Sequence, residues 1–212
     1  MPAMTISASE LHTQKKIPVE GMLPAIAHRW SPRAYADRPV SGEHLRLVLE
    51  SARWAASSSN GQPWRFLVGV RPAGASPDAT YERIAATLVP FNRAWALSAP
   101  VLMLAFAVAK TPHGSTNHYA LFDLGQAVAQ MAIQAAALGL ATHAMGGFDR
   151  DGAQKLIGPA EDFLPGAVIA LGHPGDPGQL ADAELRAREL DPRERKPLEE
   201  LALSEPGKPF AF

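Results

Sequence analysis

Cysteine is absent from this 212-residue chain. That one absence removes disulfides, thiolate catalysis and Cys-ligated metal or iron–sulfur centres, and it fits a reducing cytoplasm. A strong net charge is missing too: 20 Lys+Arg stand against 21 Asp+Glu, leaving −1. No general attraction to nucleic acid or to an anionic membrane is therefore expected. The chain carries no G-x-G-x-x-G, no G-x-x-x-x-G-K-[ST] and no G-x-S-x-G. This argues against classical dinucleotide domains, P-loop enzymes and α/β-hydrolases. Its seven histidines form no H-E-x-x-H motif and no compact cluster with carboxylates, so they read as surface or core residues and no metal is expected.

Two stretches bear on membranes. Residues 1–20 are polar, with Glu10, Lys15 and Lys16, and lack the apolar run of a secretory signal. Gly125–Thr142 has no charged residue, but Gln126, Gln130 and Gln134 recur every four positions. One polar stripe on an alanine-rich helix describes a buried helix of a soluble protein better than a membrane span.

What is present supports one sizeable domain: 47% of the residues are apolar and 19% charged. Residues 1–20 read as a loose arm. From Ser41, a candidate N-cap, Leu45, Val48, Leu49 and Ala52 share a helical face. Trp64, Phe66, Val68 and Val70 alternate as in a half-buried strand. Residues 80–89 read as a helix limited by Pro90. Ala99–Ala109 is a continuous apolar run suited to a central strand. A long helix from about Tyr119 to Leu140 follows, then a strand or turn over Thr142–Phe148, a short helix over Asp151–Ile157 and a strand over Ala167–Leu171. The expected class is α+β, with helices flanking one sheet. The tail beyond Gly175 is rich in Pro and charge, has a short helix near Ala183–Leu190, and shows apolar residues in Pro197–Leu203. Such a segment is either disordered or wrapped around a second subunit, and its apolar residues favour wrapping.

Three segments have the makings of a site for an anion and a heterocycle. Arg29-Trp30-Ser31-Pro32-Arg33 sets two guanidinium groups around a hydroxyl, a pattern able to ligate a phosphate; a solvated basic turn with Trp30 in the core is the ordinary alternative. Ser57-Ser58-Ser59-Asn60-Gly61-Gln62-Pro63-Trp64 is a dense array of neutral donors and acceptors, or a capping turn. Met145-Gly146-Gly147 would leave backbone N–H groups open to a planar ligand, or is a tight turn. Tyr119, Phe122, Phe91 and Trp95 are candidates to wall a pocket, or are core and interface residues.

The ordered set R-x-S-x-R, S-S-x-N-x-Q-P-W, D-x-G-Q-A, G-L-x-T, G-G-F-D, V-I-A-L-G-H-P and R-K-P-L-E-E resembles the nitroreductase family over about residues 20–201. The resemblance implies a nitroreductase-like mixed, mainly antiparallel sheet flanked by helices, in an intertwined homodimer. FMN would lie at the subunit interface, within a domain spanning 21–175, and an extension over 176–212 would embrace the partner. By the same resemblance Arg29 and Ser31 hold the FMN phosphate, with Arg193 and Arg195 as a C-terminal basic pair. Arg33 stands beside the pyrimidine end of the ring. Ser57, Ser58, Asn60 and Gln62 reach the cofactor from the other subunit, and Gly146 and Gly147 offer backbone donors near flavin N5 and O4. Many members carry an acidic residue where this chain has Gly146, and a Pro where it has Ala56. The implied activity is ping-pong electron transfer from NAD(P)H to a small organic acceptor, a nitroaromatic or quinone, with FMN as the reacting group and no catalytic side chain. Another flavin task on the same fold, or flavin binding without catalysis, remains an alternative.

Overall fold

A computed structural model describes Glu10, Lys15 and residues 20–212; most of the N-terminal arm expected over 1–20 lies outside the described residues. Four antiparallel strands form the main sheet in the order β1-β2-β4-β3: β1 (Trp64–Val70), β2 (Val101–Val108), β3 (Ala141–Met145) and β4 (Phe163–Gly172). All strand pairings among the described residues are antiparallel. The register runs Leu104↔Leu67 on one side of β2 and Leu104↔Val168 on the other.

β2 is buried along nearly its whole length because helices cover both faces of the sheet. Its alternate side chains feed two separate cores. Leu102, Leu104 and Phe106 join Tyr81, Ile84, Trp95 and Val168 on one face. Val101, Met103, Ala105 and Ala107 join Val48, Ala52, Leu124, Ala127, Met131 and Ala135 on the other. A continuous apolar run is what a strand needs when neither face meets water.

The second core is built by α2 (Gly42–Arg53) and α5 (Ala120–Ala137). Ser41 caps α2 as the sequence suggests, its Oγ accepting from the His44 N–H at 3.1 Å. The first core is covered by α3 (Ala79–Thr87), α4 (Pro90–Ala96) and α6 (Arg150–Ile157), with α7 (Ala183–Leu190) adding Leu185. Pro90 does more than limit the preceding helix. It opens α4, where its missing N–H costs nothing in a first turn. A one-turn α1 (Pro24–His28) precedes the first arginine segment. Beyond α7 the tail forms α8 (Leu198–Leu201) and a small hairpin of β5 (Leu203–Glu205) and β6 (Lys208–Pro209).

α5 does not bury all of its apolar surface against the sheet. Leu121 and Phe122 stay 50% and 69% exposed on one chain. Leu198, Leu201, Leu203, Phe210 and Phe212 of the tail are likewise exposed. Apolar surface is thus left exposed in two places, on the central helix and along the extension. Among the described residues no helix is long and apolar enough to cross a membrane.

One close approach sets the packing of α3 on β1. A Cβ at Gly69 would fall 2.3 Å from Tyr81 Cα and N, against backbone that has no way to step aside. Gly69→Ala should therefore destabilise the fold by about 1–3 kcal/mol, the usual cost of overpacking. A urea denaturation midpoint equal to that of the wild type would contradict this.

Candidate anion and cofactor site

The Arg29–Arg33 segment leaves α1 and runs beside edge strand β3. The Pro32 carbonyl lies 2.9 Å from His143 Nδ1. A carbonyl can only accept, so Nδ1 carries the proton. The imidazole packs on Trp95 with ring centroids 4.5 Å apart. Burial holds its pKa down to about 4; Arg33 and Arg29 act in the same direction, and the hydrogen bonds to Pro32 and Ser31 oppose them. At the next residue the Arg33 N–H donates to Glu189 Oε2 at 2.9 Å. Glu189, on α7, is 2% exposed and also hydrogen-bonded to Trp30. Burial raises its pKa, while the bonds to Arg33 and Trp30 and the charges of Arg33 and Lys15 oppose the rise. The segment is thus gripped between a neutral imidazole on β3 and a buried carboxyl group on α7.

Three guanidinium groups meet at this clamp. Burial lowers the Arg29 pKa, and the charge of Arg195 adds to the effect. Arg193 is lowered by burial, then by Arg29 and Arg195. Arg29 Nη1 lies 3.4 Å from Ser31 Oγ. Arg193 Nη1 donates to the carbonyls of Lys15 and Ala27, both at 2.8 Å, which fastens the tail to the end of α1. Arg195 is exposed, and its Nη1 donates to the Glu194 carbonyl at 2.6 Å.

Two of the nearby acids, Glu189 and Asp191, act on other groups. Glu189 serves Arg33 and Trp30, and Glu189 and Asp191 are the acids that raise the Lys15 pKa against burial. Lys15 Nζ donates to the Asp191 carbonyl. No carboxylate figures among the influences on Arg29 or Arg193. Like charges crowded in partial burial call for an anion, and a phosphate suits planar guanidinium donors.

Two cavities open here. One, of about 290 Å³, is lined by Trp30, Ser31, Arg33, Arg193 and Arg195, and also by the acids Glu189, Asp191 and Glu194. The other, of about 410 Å³, shares Ser31 and takes in Arg29. It continues along α5 past Val128, Ala129, Ala132 and Ile133, and along β3 past Thr142 and Ala144. Polar groups at one end and an apolar trough beside them suit a ligand with a charged head and a flat body.

Gly146 and Gly147 follow directly on β3, so they extend the same edge. Neither has a positive φ, so the turn itself does not require glycine. A Cβ at Gly146 would meet nothing within 4 Å. At Gly147 it would meet Asn92 Nδ2 at 2.7 Å, where the Asn92 amide donates to the Gly147 carbonyl at 2.8 Å.

The structure therefore brings Arg29, Trp30, Ser31, Arg33, Arg193 and Arg195 together, with Gly146 and Gly147 along the adjoining strand edge. Trp30 is buried, forming a wall beneath the arginines. Ser57, Ser58, Asn60 and Gln62 lie apart from this group on the same chain. They form a 3₁₀ turn against the start of α5, where Ser58 N–H donates to the buried Asp123 carboxylate at 3.1 Å. Gln62 N–H donates to Ser57 Oγ at 3.0 Å, and its amide to Asn60 Oδ1 at 3.1 Å. Ser59, Asn60 and Gln62 have φ of 50°, 53° and 46°, a left-handed run that non-glycine residues rarely adopt. Of the aromatic candidates, Tyr119 and Phe122 are exposed and Phe91 is half-exposed under Arg188, but Trp95 is 1% exposed. Trp95 is a core residue rather than a pocket wall, because it fills the space between the first core and His143.

Glu189, His143, Lys15 and Asp123 were missed by sequence reasoning. Each acts through a partner far away in the chain; Asp123 opens the D-x-G-Q-A motif, but nothing in that motif points to Ser58, and no local motif marks the other three.

A sequence profile of the Nitroreductase family matches residues 26–173. A 15.4 kDa protein of Mycolicibacterium smegmatis without an assigned function is 37% identical over 142 residues, covering 66% of this chain and 95% of its own. A protein of Archaeoglobus fulgidus, provisionally named an NADH dehydrogenase/NAD(P)H nitroreductase, is 28% identical over 174 residues, covering 79% of this chain and 94% of its own. Among solved structures, an oxidoreductase containing FMN superposes with a TM-score of 0.79 at 31% identity, covering 89% of this chain and 94% of its own. The chain belongs to the nitroreductase family, and the α+β sheet flanked by helices is that family's fold.

His143 makes stability depend on pH. Its pKa is about 4 when folded and 6.5 when free, so between these values the unfolded chain binds more protons. Its contribution is complete above pH 6.5 and is lost as pH falls toward 4, by on the order of 3 kcal/mol at most. His143→Gln keeps a donor for Pro32 and should flatten the fall of the urea midpoint between pH 6.5 and 4.5. An unchanged slope would place the titrating group elsewhere.

Proposed function

We propose that this protein is an FMN-dependent oxidoreductase that passes electrons from NAD(P)H to nitroaromatic, quinone or similar small acceptors in a ping-pong cycle. In this reading it is a cytoplasmic homodimer. The observation that carries it is the pair Arg29 and Arg193, partly buried with no carboxylate among the influences on either, with the exposed Arg195 adding its charge to both. Family membership and an FMN-containing structural relative supply the identity of the anion.

The residues present fit FMN. Arg29 and Ser31 would hold its phosphate with Arg193 and Arg195. The trough along α5 and β3 offers apolar surface to a flat ring, and Gly146 adds open space at the end of β3. Arg33 has a buried Nε without a partner and lines the smaller cavity that shares Ser31 with that trough. A cation there favours extra electron density on a ring's pyrimidine edge. When bound, FMN supplies the two-electron carrier, so no side chain of the protein need act as nucleophile or general base.

The separation of Ser57, Ser58, Asn60 and Gln62 from the arginines supports a site completed by a second copy of the chain. That copy would cover the exposed face of α5, and the extension over 176–212 would lie across it. Residues 21–175 then form the cofactor-binding body.

The direct test is a visible absorption spectrum of the purified protein, followed by anaerobic titration with NADH and NADPH and then addition of a nitroaromatic or quinone. A yellow protein bleached by a nicotinamide and recoloured by the acceptor is expected. A colourless protein that takes up no FMN would overturn the reading. Arg29→Ala should weaken FMN binding by about 2–4 kcal/mol, the range for truncating one partner of a desolvated charge pair. Fluorescence titration showing wild-type affinity would remove Arg29 from the phosphate site. A chain ending at Gly175 should lose dimer and flavin together, because it loses Arg193, Arg195 and the apolar extension at once. Light scattering that finds a monomer with bound FMN would disprove the shared site.

A further inference from the structure

The main cavity that the arginine site leaves unused lies at the other end of α5. It has a volume of about 540 Å³, between the Ser58–Arg65 segment and the loop over 108–119. Its size falls within the range of small-molecule sites. The loop is held by its own backbone. Thr111 N–H donates to Ser115 O, and Asn117 N–H to Ala109 O, both at 2.8 Å. Ala109 N–H donates to Asp162 O at 2.8 Å, which ties the loop to the residue just before β4. The cavity wall is thus a fixed frame.

The lining is one-sided in charge. Arg65, Lys110, His113 and His118 face the cavity, and its lining includes no Asp or Glu. This occurs in a chain whose acids and bases nearly balance. Arg65 Nη1 is anchored by the Gln62 and Trp64 carbonyls at 3.0 and 2.7 Å, which leaves the rest of the fork available. Lys110 reaches Asp162 only at 3.4 Å, in a pair about half exposed on both sides, an ion pair worth little in water. The hydroxyls of Ser58 and Ser59 add neutral donors beside the cations. A frame that gathers two permanent cations, two imidazoles and hydroxyls, and excludes carboxylates, is built for an anion of phosphate type.

We infer that this cavity binds a phosphate group of the nucleotide electron donor. The assignment rests on the function proposed above: the segment that would reach the cofactor of the second subunit is also a wall of this cavity. A donor presenting its nicotinamide there would carry its phosphates past Arg65 and Lys110. The shared chemistry is a nucleotide phosphate, whose source is the 2′-phosphate of NADPH or the pyrophosphate common to both nicotinamides.

The test is calorimetric titration of the flavin-loaded protein with adenosine 2′,5′-bisphosphate, ADP-ribose and adenosine. The two phosphorylated probes should bind, and more weakly as salt rises; adenosine should not. Arg65→Gln and Lys110→Gln should each weaken the better probe about tenfold, the loss of one charge-assisted hydrogen bond. Tighter binding of the bisphosphate assigns the 2′-phosphate and a preference for NADPH; tighter binding of ADP-ribose assigns the pyrophosphate. Absence of binding, or wild-type affinity in both variants, would overturn the inference. A protein that holds no flavin yet binds these probes through Arg65 and Lys110 would instead sink the proposed function and leave the anion site standing.

Discussion

Repulsion among Arg29, Arg193 and Arg195 is the constraint on which the layout of the molecule turns. These groups come from opposite ends of the sequence, and partial burial denies Arg29 and Arg193 the screening that water gives the exposed Arg195. The chain holds them there through neutral and backbone contacts rather than through carboxylates. Arg193 spends its hydrogen bonds on the carbonyls of Lys15 and Ala27, and Glu189 is reserved for the Arg33 N–H. Such an arrangement keeps positive charge available to a ligand instead of neutralising it within the fold. It also explains why α7 docks where it does: Glu189 must be buried to grip the segment that carries the arginines.

The grip itself combines two buried titratable groups with opposite tendencies. Burial lowers the His143 pKa and raises that of Glu189, so desolvation favours the neutral form of each. For His143 this is no conflict, since a neutral imidazole with its proton on Nδ1 is what the Pro32 carbonyl requires. For Glu189 the opposing influences of Arg33, Trp30 and Lys15 counter burial. The segment is consequently fixed by directional bonds on both sides while its partly buried guanidinium groups line the two cavities. Rigidity in the support and openness at the tips is the division of labour a binding loop needs.

Much of this was legible in the sequence, for reasons that can be named. β2 announced itself because a strand covered on both faces must be apolar at every position, and α2 because Ser41 and the face of Leu45, Val48, Leu49 and Ala52 are purely local signals. The arginine segment and Gly146-Gly147 carry their chemistry in adjacent residues. α4 was hidden because Pro90 can equally end a helix or begin one. Glu189, His143 and Asp123 were hidden because a buried polar residue is defined by its partner, and the partners are 156, 111 and 65 residues away. Trp95 could be read as core or as pocket wall, since an aromatic residue at helical spacing looks the same in either place, and its core reading is the one that holds.

The open space at Gly146 bears on how members of one family come to differ. Its backbone does not require glycine, and a Cβ placed there meets no atom of this chain within 4 Å beyond its sequence neighbours. The fold thus sets no steric veto on the identity of residue 146, in contrast to Gly147, which Asn92 and Val89 hold small. The first atom of an acidic side chain, as the resemblance implies for many relatives, would meet no obstacle at this place. Evolution could then adjust the charge beside a bound ring independently of stability, one residue at a time.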